Sequence, residues 1–252
     1  MMQKSSNPTA NIYECNYFET IDGGSIHPGG AELTERIMRI CGLPAGARVV
    51  DAGCGLGVTV DYLHRVLCLD AIGVDVSVAL VERARTRYPG LTVLQAAAEE
   101  LPFAAGTVDA IVGECSFSIF RDMDQALSEC RRVLVPGGKL AITDMYARRA
   151  EGLETVRALA SSTCLSGIRT RDEWSDSVTQ AGFSIQVWED CSDAWRQWIV
   201  RFIMQQGTLP MLWTAAAEHS SCQEAEQALK QVRPGYFLLV AEKNGGGLQD
   251  NE

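Results

Sequence analysis

The stretch VVDAGCGLGVTV, residues 49–60, is an apolar run broken by Gly53, Gly55 and Gly57, with Asp51 just ahead of them. Glycines at alternate positions remove Cβ atoms from a turn, so another group can come close to the backbone. A glycine turn that leaves a strand and opens a helix is the usual way for an α/β protein to hold a nucleotide. The dinucleotide form is G-x-G-x-x-G, whose third glycine lets a helix pack behind a pyrophosphate. Here that position is Val58. A phosphate loop would need Gly-Lys-Ser/Thr at its end, which is absent. The turn therefore points away from a phosphate ligand.

Other side chains with chemistry are spread along the chain. Carboxylates at Asp75, Glu99, Glu114 and Asp144 stand at or just beyond the ends of apolar runs. The three histidines, His27, His64 and His219, share no local motif, and His64 falls mid-helix as a structural residue. Nine cysteines (15, 41, 54, 68, 115, 130, 164, 191 and 222) form neither CxxC nor any other compact metal spacing. No metal is expected. An odd count also argues against a disulfide framework and fits a reducing compartment.

These residues need elements to hold them. From residue 47 to about 145 short apolar runs alternate with amphipathic segments. Strands are expected at ARVVDAG, AIGVDV, LTVLQA, VDAIVGE and KLAITDMY. Helices are expected at 57–67, at SVALVERARTRY with Ser77 as its cap, and at DQALSECRRVL, ended by Pro136-Gly137-Gly138. Such alternation builds βαβ units and a doubly wound, mostly parallel sheet. A further helix is expected over 29–41, another over RTRDEWSDSVTQAGF, then the strand FSIQVWED, a helical stretch rich in Trp and Met, and a closing strand GYFLLVAEK.

The pattern D-x-G-x-G-x-G at Asp51, Gly53, Gly55 and Gly57 resembles motif I of the class I S-adenosylmethionine-dependent methyltransferases. Asp75 in IGVDVS, AAAEELPF at 96–103, and VDAIVGE followed by ECRRVLVPGGKLAITD match the same family in order and spacing over roughly residues 45–145. The terms LPF and RVLVPGG resemble the branch acting on quinone precursors, sterols and other small metabolites. The resemblance implies a seven-stranded Rossmann-like sheet with an antiparallel last strand. It also implies an N-terminal segment (1–44) closing the cofactor site, a domain over 45–243 with a helical insertion or lid at about 191–233, and a frayed tail at 244–252.

It further implies S-adenosyl-L-methionine as cofactor, with S-adenosyl-L-homocysteine as product, and cofactor contacts at Asp51, Gly53, Cys54, Gly55, Asp75, Val76, Ala98, Glu99 and Glu114. Asp75 suits the ribose, because its two oxygens can accept from both hydroxyls. Where the family usually carries an acid beside adenine this chain has Ala97, so Glu99 or the backbone of Ala98 must serve. In GGSIHPGG the helix-start amides of Gly29 and Gly30 are candidates for the methionyl carboxylate, with His27 or Tyr17 nearby. His27 and Glu114 are the candidate catalytic residues, and Asp144 is either a site residue or a surface carboxylate.

Cys115 and Cys164 locally resemble arsenite methyltransferases, which makes a thiol-directed reaction an alternative; a non-catalytic binder of the cofactor is another. The composition limits the rest. With 252 residues, 46% hydrophobic and 21% charged, the chain can bury one large core. A net charge of −10 argues against nucleic acid as partner. No signal peptide or membrane span is visible, so a cytoplasmic monomer or homodimer with a small-molecule acceptor is expected.

Overall fold

The computed structural model describes residues 12–14, 24–25, 27–159, 163–206 and 221–245. Seven strands form the main sheet: β1 (Arg48–Ala52), β2 (Asp70–Asp75), β3 (Thr92–Gln95), β4 (Val108–Glu114), β5 (Leu134–Ala147), β7 (Phe183–Asp190) and β8 (Pro234–Lys243). A two-residue strand, β6 (Arg169–Thr170), pairs with the end of β5. The order is β3-β2-β1-β4-β5-β8-β7; the first five strands run parallel, and β8 is antiparallel to both neighbours. The progression reverses between β1 and β4. A crevice opens there at the strands' carboxyl ends, the usual ligand position in such a sheet.

Helices cover both faces: α1 (Gly30–Cys41), α2 (Val58–Arg65), α3 (Val78–Arg87), α4 (Met123–Val133), α5 (Leu153–Leu159), α6 (Arg171–Gln180), α7 (Ser192–Gln206) and α8 (Ser221–Val232). Alternate strand residues feed two apolar layers. Val49 and Val112 join Leu33, Ile37 and Leu63 on one side, while Val50 and Ile111 join Leu127, Leu140 and Phe237 on the other. Burial on both faces explains why β1 and β4 read as continuous apolar runs.

Two local expectations need correction. The helix expected from residue 169 begins at Arg171, because Thr170 is its cap. Thr170 Oγ1 accepts from Glu173 N (3.2 Å) and the Glu173 carboxylate accepts from Thr170 N (2.7 Å). A cap residue is extended, and here that leaves Arg169–Thr170 free to pair with Tyr146 and Ala147 as an eighth strand. Second, Pro136-Gly137-Gly138 does not separate a helix from a later strand. β5 starts at Leu134, directly after α4, and the three residues form a bulge where the pairing jumps from Val108↔Leu134 to Ala110↔Lys139.

The Ser77 cap stands as expected, accepting from Leu80 N at 3.2 Å. Of the expected tail, Asn244 donates its N–H to Gly182 O (3.1 Å), and residues from 246 onward lie outside the described part. Tyr17, Cys15, His219, Met211 and Trp213 lie outside it too.

Candidate active site

The carboxyl ends of β1 to β4 open into a cavity of about 530 Å³. Its walls are the turn Gly53–Thr59, the pair Asp75–Val76, the loop Ala96–Glu100, the end of β4 with the turn that follows it, and Tyr13, Gly24, Ser25 and His27 from the N-terminal segment.

The glycine turn owes its residue types to the protein itself. Gly53 has φ +81°, and a Cβ there would lie 2.5 Å from Cβ of Ser116. The group that approaches this backbone is thus Ser116, whose Oγ donates to Ala52 O at 2.7 Å. Gly57, at φ +77°, caps α2 and faces Ala84 of α3. The amides of Gly53 and Cys54 both donate to Val74 O (2.8 and 3.0 Å), which stitches the turn to β2. Cys54 Sγ packs beneath the turn against Gly73, so this residue offers the cavity chiefly backbone.

Asp75 is fixed by the same turn. Its Oδ2 accepts from Gly55 N (2.8 Å) and its Oδ1 from Ser77 N (2.9 Å). Each oxygen keeps a further lone pair for a ligand. Burial raises this carboxyl above its ordinary range, against the pull of those two donors. Asp51 is raised much further, by burial and then by the neighbouring charges of Glu114 and Asp75. Among the described residues, cavity walls carrying Asp51, Asp75, Glu99, Glu100 and Glu114 face Arg121 and His27 as the only basic side chains. Crowded carboxylates are relieved by a cation and repel phosphate. A sulfonium with an ammonium group fits such a site, and a pyrophosphate does not.

The two candidate catalytic residues, 87 positions apart, meet here. His27 Nε2 lies 3.4 Å from Glu114 Oε2 and 3.3 Å from Thr59 Oγ1, and its Nδ1 is 3.4 Å from Pro28 O. Glu114 also accepts from Thr34 Oγ1 of α1 (3.0 and 3.2 Å) and Thr59 Oγ1 of α2 (2.8 Å). This knot ties the N-terminal segment, two helices and β4 together. The sequence offered no spacing that would reveal Thr34 or Thr59. Ser116, Ile119, Phe120 and Gln125 were missed for the same reason: they enter the site through the turn after β4 and through α4.

Other expected residues are placed as follows. Val76, 67% exposed, and Ala98, buried, both line the cavity, as does Ala97. Glu99 lines it while accepting Asp122 N (3.1 Å). Gly30 is not in the lining; its carbonyl oxygen lies 3.3 Å from Thr34 Oγ1, and Gly24 and Ser25 stand at the cavity instead. Asp144 is no surface carboxylate. It is wholly buried, accepting from Ser118 N (2.9 Å), Ser118 Oγ (2.7 Å) and Met145 N (2.7 Å), and burial lifts it to about 6. Cys115 and Cys164 do come together, but their hydrogen bond and then burial raise the Cys115 thiol well above normal. A soft ion needs thiolate, so the pair lends no support to an arsenic reaction. His64 Nδ1 sits 3.3 Å from Leu69 O, in a structural role.

Comparison with known proteins agrees with this geometry. The family model described as a methyltransferase domain matches residues 50–142. The methyltransferase GfsG of Streptomyces halstedii is 32% identical over 188 residues, covering 69% of this chain and 67% of the relative. Among solved structures, the [4+2]-cyclase SpnF superposes with a TM-score of 0.72 at 24% identity, covering 93% of this chain and 94% of that one. Phosphoethanolamine N-methyltransferase 2 of Haemonchus contortus, in complex with S-adenosyl-L-methionine, gives 0.70 at 18% identity, over 96% of this chain and 58% of that one. Taken with the acidic cavity and the absent phosphate signature, these likenesses place the chain in the family of S-adenosylmethionine-dependent methyltransferases that act on small molecules.

Proposed function

We propose that the cavity holds S-adenosylmethionine with its ribose on Asp75, its adenine between Val76 and the loop of Ala98 and Glu99, and its methionyl part toward Gly53–Gly55, Asp51 and Glu114. Asp75 carries this reading. It is a carboxylate pinned by two backbone amides, with its free lone pairs at the cavity. Gly24 and Ser25, rather than Gly30, supply the N-terminal wall.

The bound cofactor supplies a methyl group already activated on sulfur. The chain's task is to align an acceptor with it and keep water out. The knot of His27, Glu114, Thr34 and Thr59 holds the N-terminal segment against β4. His27, whose imidazole lines the cavity with Nε2 3.4 Å from Glu114 Oε2, is the group we assign to take a proton from an acceptor hydroxyl or ammonium.

The acceptor is uncharged or cationic. Among the described lining residues Arg121 is the one Lys or Arg. A phosphorylated acceptor, as in the Haemonchus contortus enzyme, would face five carboxylates against Arg121 and His27. All described cysteines are free, which supports a cytoplasmic setting.

Calorimetric titration with S-adenosylmethionine, S-adenosylhomocysteine and NAD, on wild type and Asp75→Ala, tests the site. Binding of both sulfur compounds, lost in the variant, is expected. Binding of NAD alone would overturn the reading. Wild type should then methylate members of a panel of uncharged phenols, enols and alcohols, and His27→Ala should lower kcat.

A further inference from the structure

From the way α4 meets the loop after β3, we infer that Gln125 reads the amino group of adenine and so fixes the base specificity of the cofactor site. This rests on the cofactor placement above, in which the adenine edge faces the loop Ala96–Glu100. An exocyclic amino group donates hydrogen bonds and needs an acceptor. Ala97, at the cavity wall, has none to give. Glu99 directs a carboxylate oxygen at Asp122 N, 3.1 Å away, at the start of α4. Arg121 can only donate.

Glu99 Oε2 and Glu100 also stand at this wall, and Gln125 differs from both in carrying an amide of defined orientation. It lies 3.3 Å from the carbonyl oxygen of Glu99, which can only accept, so the nitrogen Nε2 must face that carbonyl. Oε1 is then left as the acceptor that Gln125 presents at the cavity it lines. An adenine amino group satisfies Oε1. A hypoxanthine carbonyl would confront it, and turning the amide over would break the bond to Glu99. Gln125 is exposed, and its backbone N–H, not its side chain, takes the Asp122 cap (3.0 Å). Truncation therefore leaves α4 intact.

The test is a pair of calorimetric titrations on the full chain, with S-adenosylhomocysteine and with S-inosylhomocysteine, which carries a carbonyl in place of the amino group. Wild type should prefer the adenine compound by about tenfold or more. Gln125→Ala should keep the wild-type melting temperature, lose about tenfold in affinity for the adenine compound, and bind the two within about threefold of each other. The inference is overturned if Gln125→Ala keeps the wild-type preference, or if the preference collapses in Glu99→Gln or Glu100→Gln instead. Equal binding of both compounds by wild type overturns it while leaving the cofactor site standing. Failure of both compounds to bind overturns the cofactor placement as well.

Discussion

Single residues in this site are tuned by how many carboxylates share one buried space. Asp51 is raised first by burial and then by Glu114 and Asp75, so above the ordinary aspartate range there is a window of pH in which the free protein keeps a proton there. A cationic ligand reverses the balance, because the ionised form then gains a partner. Cofactor binding should therefore expel protons, and affinity should rise with pH until Asp51 is ionised in the free protein. Calorimetry in buffers of different ionisation heats measures the release; in Asp51→Asn it should fall, leaving the smaller part that Asp75 contributes. Asp144 makes a different statement, about stability. Its folded value of about 6 lies above the ordinary value of about 3.9. Its contribution is thus fully present below about pH 4 and is lost as pH rises through 6, a swing of about 3 kcal/mol. Asp144→Asn does not titrate, and it leaves one N–H of Ser118 or Met145 without its acceptor. Wild type should exceed the variant in melting temperature by most near pH 4.5, with the margin shrinking toward pH 7. Parallel curves would show that Asp144 does not titrate in this range.

At the scale of elements, the turn after β4 is the part that the rest of the site depends on. Ser116 fills the space at Gly53, Ser118 is held by Asp144, and Ile119 and Phe120 line the cavity. Gly167 presses on this turn from outside: a Cβ there would lie 1.9 Å from the carbonyl oxygen of Ser118. That neighbour is backbone and cannot swing aside. Gly167→Ala should cost about 1–3 kcal/mol and weaken cofactor binding by displacing the turn; thermal melts and titration on the same preparation check both. An unchanged affinity would show that the turn is not a wall of the cofactor site. Nothing in the sequence marks this contact, since Gly167 and Ser118 lie far apart in the chain. The strands β1 to β4 were legible because burial on both faces leaves bare apolar runs between breakers. Asp75 was legible because it ends such a run beside a glycine turn. β6 was not, being two residues whose pairing is a by-product of the Thr170 cap. Glu114 could be nominated from its strand end, but its donors Thr34 and Thr59, at separations of 80 and 55 residues, belong to helices that only the closed fold brings together. Gly30 lies outside the cavity lining for a related reason: a helix start is readable, but the direction in which it faces is not.

For the molecule as a whole, sheet topology and net charge act in the same direction. The reversal of strand order between β1 and β4 gathers the ends of four strands, and with them the carboxylates of Asp51, Asp75 and Glu114, into one crevice of a chain with net charge −10. Concave sites focus such a field, so the potential at the cavity exceeds what the nearest pair of charges alone would give. The donor S-adenosylmethionine carries one positive charge more than its product, S-adenosylhomocysteine, although the two are nearly the same in shape. Attraction to the whole field therefore favours the donor, and release of the methyl group removes that advantage and helps product leave. Much of this attraction acts across distances comparable to the Debye length of about 10 Å at 0.1 M salt, and should be screened. The ratio of donor to product affinity is expected to be largest at low ionic strength and to fall several-fold by about 0.5 M salt, with product affinity nearly constant. Paired titrations across that range measure it. A ratio independent of salt would mean that the discrimination is made by direct contacts at the sulfur alone, and that the acidity of the cavity serves the acceptor rather than the cofactor.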